Sequence, residues 1–390
     1  MLQGDAIATF PNSMKRRLPV TLLLIGLAAA LFAGVQAGSA KPPLTAPKGF
    51  FGIGPQTGLT DRDVEYMKAG GVESVRWPLS WAGIQPTAKG GYHWESFDQV
   101  VGVAARQGLS VLPFFYGTPR WAAPKETTLP INGQASKAWT AFLAAAVKRY
   151  GPGGEFWQRH QTGGIGPGPI YQPEPAIPTK PIRTWQIWNE ANFFYFAFPA
   201  SPQRYTKLVR ISSPAIKRVD PGAKVILSGL FGEPTAGGAK GMAAAKFLEI
   251  LYRSPGIKSS FDGISLHPYA VDSETLEELV EALHDVTVAN HDRVPLYITE
   301  MGWGSQNDFN QVAFEQGIQG QVQQLKGAYG YLLENRNRLD LKQVYWFSWK
   351  DLPGSCNFCD SVGFFRSGPK FKPKPSWRAF IALTGGRARP

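Results

Sequence analysis

The sequence predicts an α/β chain folded as a single (β/α)8 TIM barrel, and three observations lead there. From Gly49 onward, short runs of β-branched and aromatic residues alternate eight times with stretches that read as helices. The 390 residues are 43% hydrophobic and 18% charged, which supplies a core large enough for one barrel-sized domain. The rival fold is a doubly wound open sheet, which would need a glycine-rich phosphate loop after its first strand. "GIGPQTG", with proline at its centre, is a poor one.

The elements follow in order. "GFFGIGPQ" (49–56) is the first strand, and "TDRDVEYMKAGG" a helix opened by Thr60 or Asp61 and stopped by glycines. "SVRWPLSW" (74–81) is the second strand, with "WESFDQVVGVAARQG" as its helix. "LSVLPFFYG" (109–117) is the third, followed by the amphipathic "SKAWTAFLAAAVKRYG". Residues 151–181 are rich in glycine and proline and read as a surface insertion before the fourth strand, "IRTWQIWNEAN" (182–192). A helix near "SPQRYTKLVRISSPAIKRVD" comes next. "AKVILSGLF" (223–231), "FDGISLHPYA" (261–270), "PLYITEMGW" (295–303) and "KQVYWFSWKD" (342–351) are strands five to eight, and a helix around "KPSWRAFIALTG" closes the chain.

Residues 1–40 stand apart from this pattern. Lys15, Arg16 and Arg17 precede an apolar stretch from Leu18 to Val35, and small residues end at Ala37 and at Ala40. This is the pattern of a cleaved signal peptide, with Met14 an alternative start and a retained membrane anchor the rival. The expected catalytic domain is then 41–390, exported to the extracellular space or cell envelope, with no stable membrane anchor after cleavage. In that compartment Cys356 and Cys359 of "GSCNFCDS" are expected to form a structural disulfide. The formal charge of +12 is dispersed, apart from "GPKFKPKPSWR" and the tail "GGRARP". No nucleic-acid module accompanies it, so nucleic acid is not an expected partner. A soluble charged surface is the plain reading and weak attraction to anionic cell-envelope polymers the sharper one.

Two segments carry the chemistry. "TWQIWNEAN" contains Asn189 and Glu190, and "PLYITEMGWGS" contains Glu300; each glutamate falls where a strand hands over to a loop. Trp188 and Trp303 flank them. In a (β/α)8 barrel both would face the mouth at the carboxyl ends of the strands. Two carboxylates with flat rings beside them suit cleavage of a glycosidic bond, one protonating the leaving oxygen and the other attacking or stabilising the sugar cation.

"WNE" on strand four with "ITEMGW" on strand seven resembles the clan of retaining (β/α)8 glycoside hydrolases. "YGTPRW" (116–121), "WQIWNEAN" and "LHPYA" look most like glycoside hydrolase family 39, with family 5 close behind. The resemblance runs from about residue 48 to 380. It implies Glu190 as acid/base and Glu300 as nucleophile. It also implies Arg76 of "SVRWP" beside the nucleophile, Asn189 on the sugar 2-hydroxyl, and a strand-eight tryptophan under the sugar at the cleavage point. Trp346 and Trp349 are the candidates for the last role; in a regular strand alternation lets only one of them point inward, and Trp346 is preferred. His267 and Tyr269, two apart on strand six, would orient the nucleophile or the sugar. Trp77, Trp81, Trp121 and Trp303 are weaker candidates for further subsites. A raised pKa for the acid would come from apolar surroundings such as Trp188 and "FFYF" (193–196), or from a nearby carboxylate.

The expected activity is therefore that of an exported retaining β-glycosidase acting on an oligo- or polysaccharide. A transglycosylase using the same residues and a non-catalytic carbohydrate-binding barrel are the alternatives. No Gly-x-Ser-x-Gly elbow occurs, the five histidines lack ligand spacing, and neither metal nor cofactor is expected. Exo or endo action, substrate and oligomeric state have no readable code here.

Overall fold

The computed structural model describes residues 46–161, 176–235, 237–307, 313–356 and 359–390. The stretch expected to be a signal peptide and the middle of the glycine- and proline-rich insertion lie outside the described residues. Eight strands close into a barrel in chain order: β1 (Phe51–Ile53), β2 (Ser74–Ser80), β3 (Ser110–Tyr116), β4 (Thr184–Ile187), β5 (Lys224–Phe231), β6 (Gly263–His267), β7 (Leu296–Met301) and β8 (Leu341–Trp346). Every neighbouring pair is parallel, and β1 pairs with β8 to complete the ring.

The helices are α1 (Asp61–Ala69), α2 (Trp81–Ile84), α3 (Glu95–Arg106), α4 (Gly133–Tyr150), α5 (Glu155–His160), α6 (Pro202–Lys217), α7 (Ala244–Tyr252), α8 (Ser273–Ala289), α9 (Gly317–Asn335) and α10 (Pro375–Thr384). Their starts follow local chemistry. Thr60 caps α1 through a reciprocal pair with Asp63, Ser201 caps α6 ahead of Pro202, and Asp272 caps α8. Among the described residues no helix is long and apolar enough to cross a membrane. Cys356 and Cys359 are joined in a disulfide in the loop after β8.

Strand parity separates the inside of the barrel from the helix layer. Leu112, Ile226, Tyr297 and Tyr345 form a small apolar cluster of their own inside the ring. Gly52 on β1 lacks a side chain where one is impossible, because the Tyr345 ring occupies that space. The Tyr345 hydroxyl hydrogen-bonds Ser74 at 2.8 Å. Above this cluster the interior turns polar, with Arg76, Gln186, Ser265 and Thr299 all buried.

The expected strands are longer than the observed ones chiefly where the site lies. β4 ends at Ile187 rather than running through Glu190, because Trp188 (φ 74°) and Glu190 (φ 39°) both take left-handed backbone. Such conformations cost non-glycine residues about 1–2 kcal/mol each. Here they lift the Glu190 side chain off the strand.

Candidate active site

Glu190 and Glu300 meet at the carboxyl end of the barrel, each with an oxygen within 4.8 Å of the other and of a His267 ring nitrogen. Glu300 is held from two sides. Arg76 Nη1 donates to its Oε1 at 2.6 Å and the Tyr269 hydroxyl donates to its Oε2 at 2.8 Å. All three guanidinium nitrogens donate: besides Nη1, Nε donates to Gln186 Oε1 and Nη2 to Asn189 Oδ1, each at 2.7 Å, while the Arg76 face lies 4.0 Å over the Phe114 ring. Arg76 is 3% exposed, so its charge has Glu300 rather than water for balance.

Glu190 is 4% exposed and sits in different company. Its Oε1 lies 2.7 Å from His267 Nδ1, while His267 Nε2 lies 3.0 Å from Thr299 Oγ1. Burial pushes the Glu190 carboxyl well above the usual carboxylate range, and the negative charge of Glu300 adds to the rise, with Arg76 opposing it. Burial and the nearby Arg76 hold His267 neutral, well below its ordinary pKa. A neutral ring can donate from Nδ1 to an ionised Glu190 while Nε2 accepts from the Thr299 hydroxyl. Gly229 on β5 makes this placement possible, since a Cβ there would collide with the His267 ring. The Tyr269 hydroxyl is pushed well above its ordinary pKa by burial and the two carboxylates, so it remains a donor.

The structure therefore brings together Arg76, Asn189, Glu190, His267, Tyr269 and Glu300. It divides the strand-six pair: Tyr269 holds Glu300, while the short contact of His267 is to Glu190, its Nδ1 lying 3.6 Å from Glu300 Oε2. The strand-eight tryptophans are a correction. Gln343 and Tyr345 fix odd residues of β8 inward, so Trp346 points into the helix layer, stacked on Phe364 at 5.0 Å with its N–H on the Val362 carbonyl. Trp349 lies beyond the strand, buried against Phe365 and Trp377 with its N–H on Asp63 of α1. The ring at the mouth is Phe347, half-buried and 6.2 Å from Tyr269. Trp81 and Trp303 are also core residues, whereas Trp77 and Trp121 are half-buried.

Sequence reasoning missed Gln186 and Thr299, which orient Arg76 and His267 from below, and Tyr116, which closes the β3 side beside Trp188 at 5.1 Å. Gln186 left a readable signal: it is a long polar amide set between the apolar Trp185 and Ile187 of the strand. Glu190, His267 and Glu300 are near enough to share a cation. Arg76 already places a fixed positive charge on Glu300, which is the electrostatic role a metal would otherwise fill.

No family model matches this sequence, and no curated protein sequence does. Solved structures do share its fold. A family 39 glycoside hydrolase from the gut symbiont Bacteroides cellulosilyticus superposes with a TM-score of 0.60 at 22% identity, over 88% of this chain and 63% of that one. A monomeric β-xylosidase from Caulobacter crescentus gives 0.57 at 18% identity, over 87% of this chain and 68% of that one. An endo-β-1,4-glucanase from Xanthomonas axonopodis pv. citri gives 0.55 at 13%, over 86% and 98%. The chain thus spans less than two thirds of the first of these proteins and nearly all of the third.

Proposed function

We propose that this chain is a retaining β-glycosidase in which Glu300 is the nucleophile and Glu190 the acid/base. The observation that carries the reading is the unequal treatment of two adjacent buried carboxylates. One is clamped by a guanidinium and a phenol, while the other is buried with its pKa raised well above the ordinary range. Their separation, within 4.8 Å between nearest oxygens, suits direct attack better than the wider gap of about 6.5–9.5 Å that inverting enzymes leave for a water. The names of the structural neighbours, a β-xylosidase and an endo-β-1,4-glucanase, support the β configuration.

The chemistry follows from the geometry. Glu300 attacks the anomeric carbon as Glu190 gives its proton to the glycosidic oxygen, the bond to the leaving group breaks, and a glycosyl ester forms on Glu300. Esterification removes the Glu300 charge, one of the causes that raise the Glu190 pKa. Glu190 is then a better-ionised base. It takes a proton from water as the water oxygen attacks the anomeric carbon and releases Glu300, which restores both groups. The anchoring of Asn189 by Arg76 supports its role in meeting a sugar hydroxyl. The amino-terminal segment supports action outside the cytoplasm, and a carbohydrate is the partner this site would take.

Azide tests the assignment. With an aryl β-glycoside carrying a good leaving group, Glu300→Ala should be nearly inactive and be rescued by azide to give the inverted, α-configured glycosyl azide. Glu190→Ala should keep its first step and yield the β-configured azide in the second. The opposite pairing of product and variant would exchange the two roles, and no rescue of either would remove the double displacement.

A further inference from the structure

The residues that follow Glu190, "NFFYF", place four aromatic side chains in a row, and the catalytic reading uses none of them beyond apolar cover. The backbone under them is pinned. Phe193 N–H donates to the Glu190 carbonyl at 2.9 Å and Phe194 N–H to the Lys240 carbonyl at 2.8 Å. Asn192, fully buried, bonds both the N–H and the carbonyl of Phe231 and the carbonyl of Met242. On this fixed base the rings form a ladder leading out of the site. Tyr269 stacks beside Phe231 (5.7 Å, 30°), and Phe231 beside Phe193 (5.0 Å, 31°). Phe193 meets Phe194 and Tyr195 edge-on, and these two stack on each other at 4.2 Å. The last ring, Tyr195, is 55% exposed.

The structure assigns this ladder as a binding platform for the leaving-group half of a β-linked oligosaccharide, with Phe194 and Tyr195 as its outer end. The assignment rests on the glycosidase reading above and deepens it. Glu190 delivers its proton to the leaving oxygen, and the platform is tied to the Glu190 carbonyl, so the half that receives the proton is the half that lies along these rings. Sugars present a C–H face to a ring and hydroxyls to its edge, which suits a stacked aromatic pair with open water around it. A protein partner fits poorly. Among the described residues, this loop contributes only Tyr195 and Phe198 to the exposed large hydrophobics, against the roughly 20–30 residues a side that a stable interface engages. Continuity with Tyr269, which holds Glu300, and a hydrogen-bonded backbone both point to an extension of the site.

The test compares two substrates that share a glycone. Trimers of β-1,4-linked xylose, glucose and mannose carry sugar leaving groups, whereas the matching β-glycosyl fluorides lose only fluoride and leave the platform empty. The quantity read is the ratio of kcat/KM for trimer to kcat/KM for fluoride, on whichever glycone the wild type cleaves. Tyr195→Ala and Phe194→Ala should each lower that ratio about tenfold, chiefly through KM. Phe198→Ala, an exposed ring outside the ladder, should preserve it. An unchanged ratio in the Tyr195→Ala/Phe194→Ala double variant overturns the platform while leaving the glycosidase standing. So does an unchanged ratio with a dimeric wild type made monomeric by Tyr195→Ala, which would give the ring to a second copy of the chain. A wild type that cleaves neither trimers nor fluorides overturns the glycosidase reading, and the platform with it.

Discussion

Arg76 serves three acceptors with one planar group, and each lies on a different element: Glu300 on β7, Gln186 on β4 and Asn189 just beyond it. Lysine keeps the charge but lacks the fork, so Arg76→Lys should fold and yet lose about one to three orders of magnitude in kcat/KM. Near-wild-type kinetics in that folded variant, with circular dichroism as the check on folding, would take Arg76 out of the site. At this scale much was legible: the carboxylates, the arginine, the asparagine and the strand-six pair all stand in recognisable local patterns. The strand-eight ring was not. Trp346 is the larger aromatic and draws the eye, but whether a side chain faces the mouth is decided by parity against Tyr345, and parity is set by which neighbour fills the barrel.

The loops after β7 and β8 are not free connections, because a buried lysine from the segment before α10 ties them together. Lys374 Nζ lies 2.7 Å from Asp351 Oδ1 and 3.0 Å from Ser305 Oγ, and it also bonds the Ser361 carbonyl. Burial pulls the Lys374 pKa down and pushes the Asp351 pKa up, so each charge depends on the other. Lys374→Ala strands Asp351 and should cost about 3–5 kcal/mol of unfolding free energy in a denaturant titration, whereas the double change Lys374→Met/Asp351→Leu should cost less. Equal losses in the two proteins would mean that packing, not charge, holds the loops. Element by element, the eight units could be read in order, and the strand ends could not. The run 182–192 looks continuous, yet β4 stops at Ile187 where two residues take positive φ. A local hydropathy pattern carries no sign of such a turn.

Burying the Glu190 carboxyl at the mouth of the barrel has a cost to the folded molecule. A carboxyl whose pKa is raised on folding is protonated in both states at low pH and contributes nothing there. As pH rises past its unfolded value of about 4.3, the unfolded chain releases that proton while the folded one holds it, and stability falls until the folded pKa is passed. Glu190→Gln removes the effect. Its melting temperature should exceed that of the wild type by a few degrees at neutral pH, and the gap should close near pH ~4. A gap that is constant with pH would assign the gain to packing rather than to the buried charge.

The sequence by itself determined the number of strand–helix units and the barrel they imply, and it singled out two glutamates at strand ends, because periodicity and strand-end position are properties of contiguous residues. Only the tertiary structure decided which of those residues touch. Glu190 and Glu300 are separated by more than a hundred residues, and their environments come from β2, β5 and β6 as much as from their own strands. The same closure of the ring made Trp346 a core residue, gave the short contact of His267 to Glu190 rather than to Glu300, and strung Tyr269, Phe231, Phe193 and Tyr195 into one ladder. Burial and proximity arise from elements distant in the chain, and it is these that raise one carboxyl's pKa and clamp the other in place.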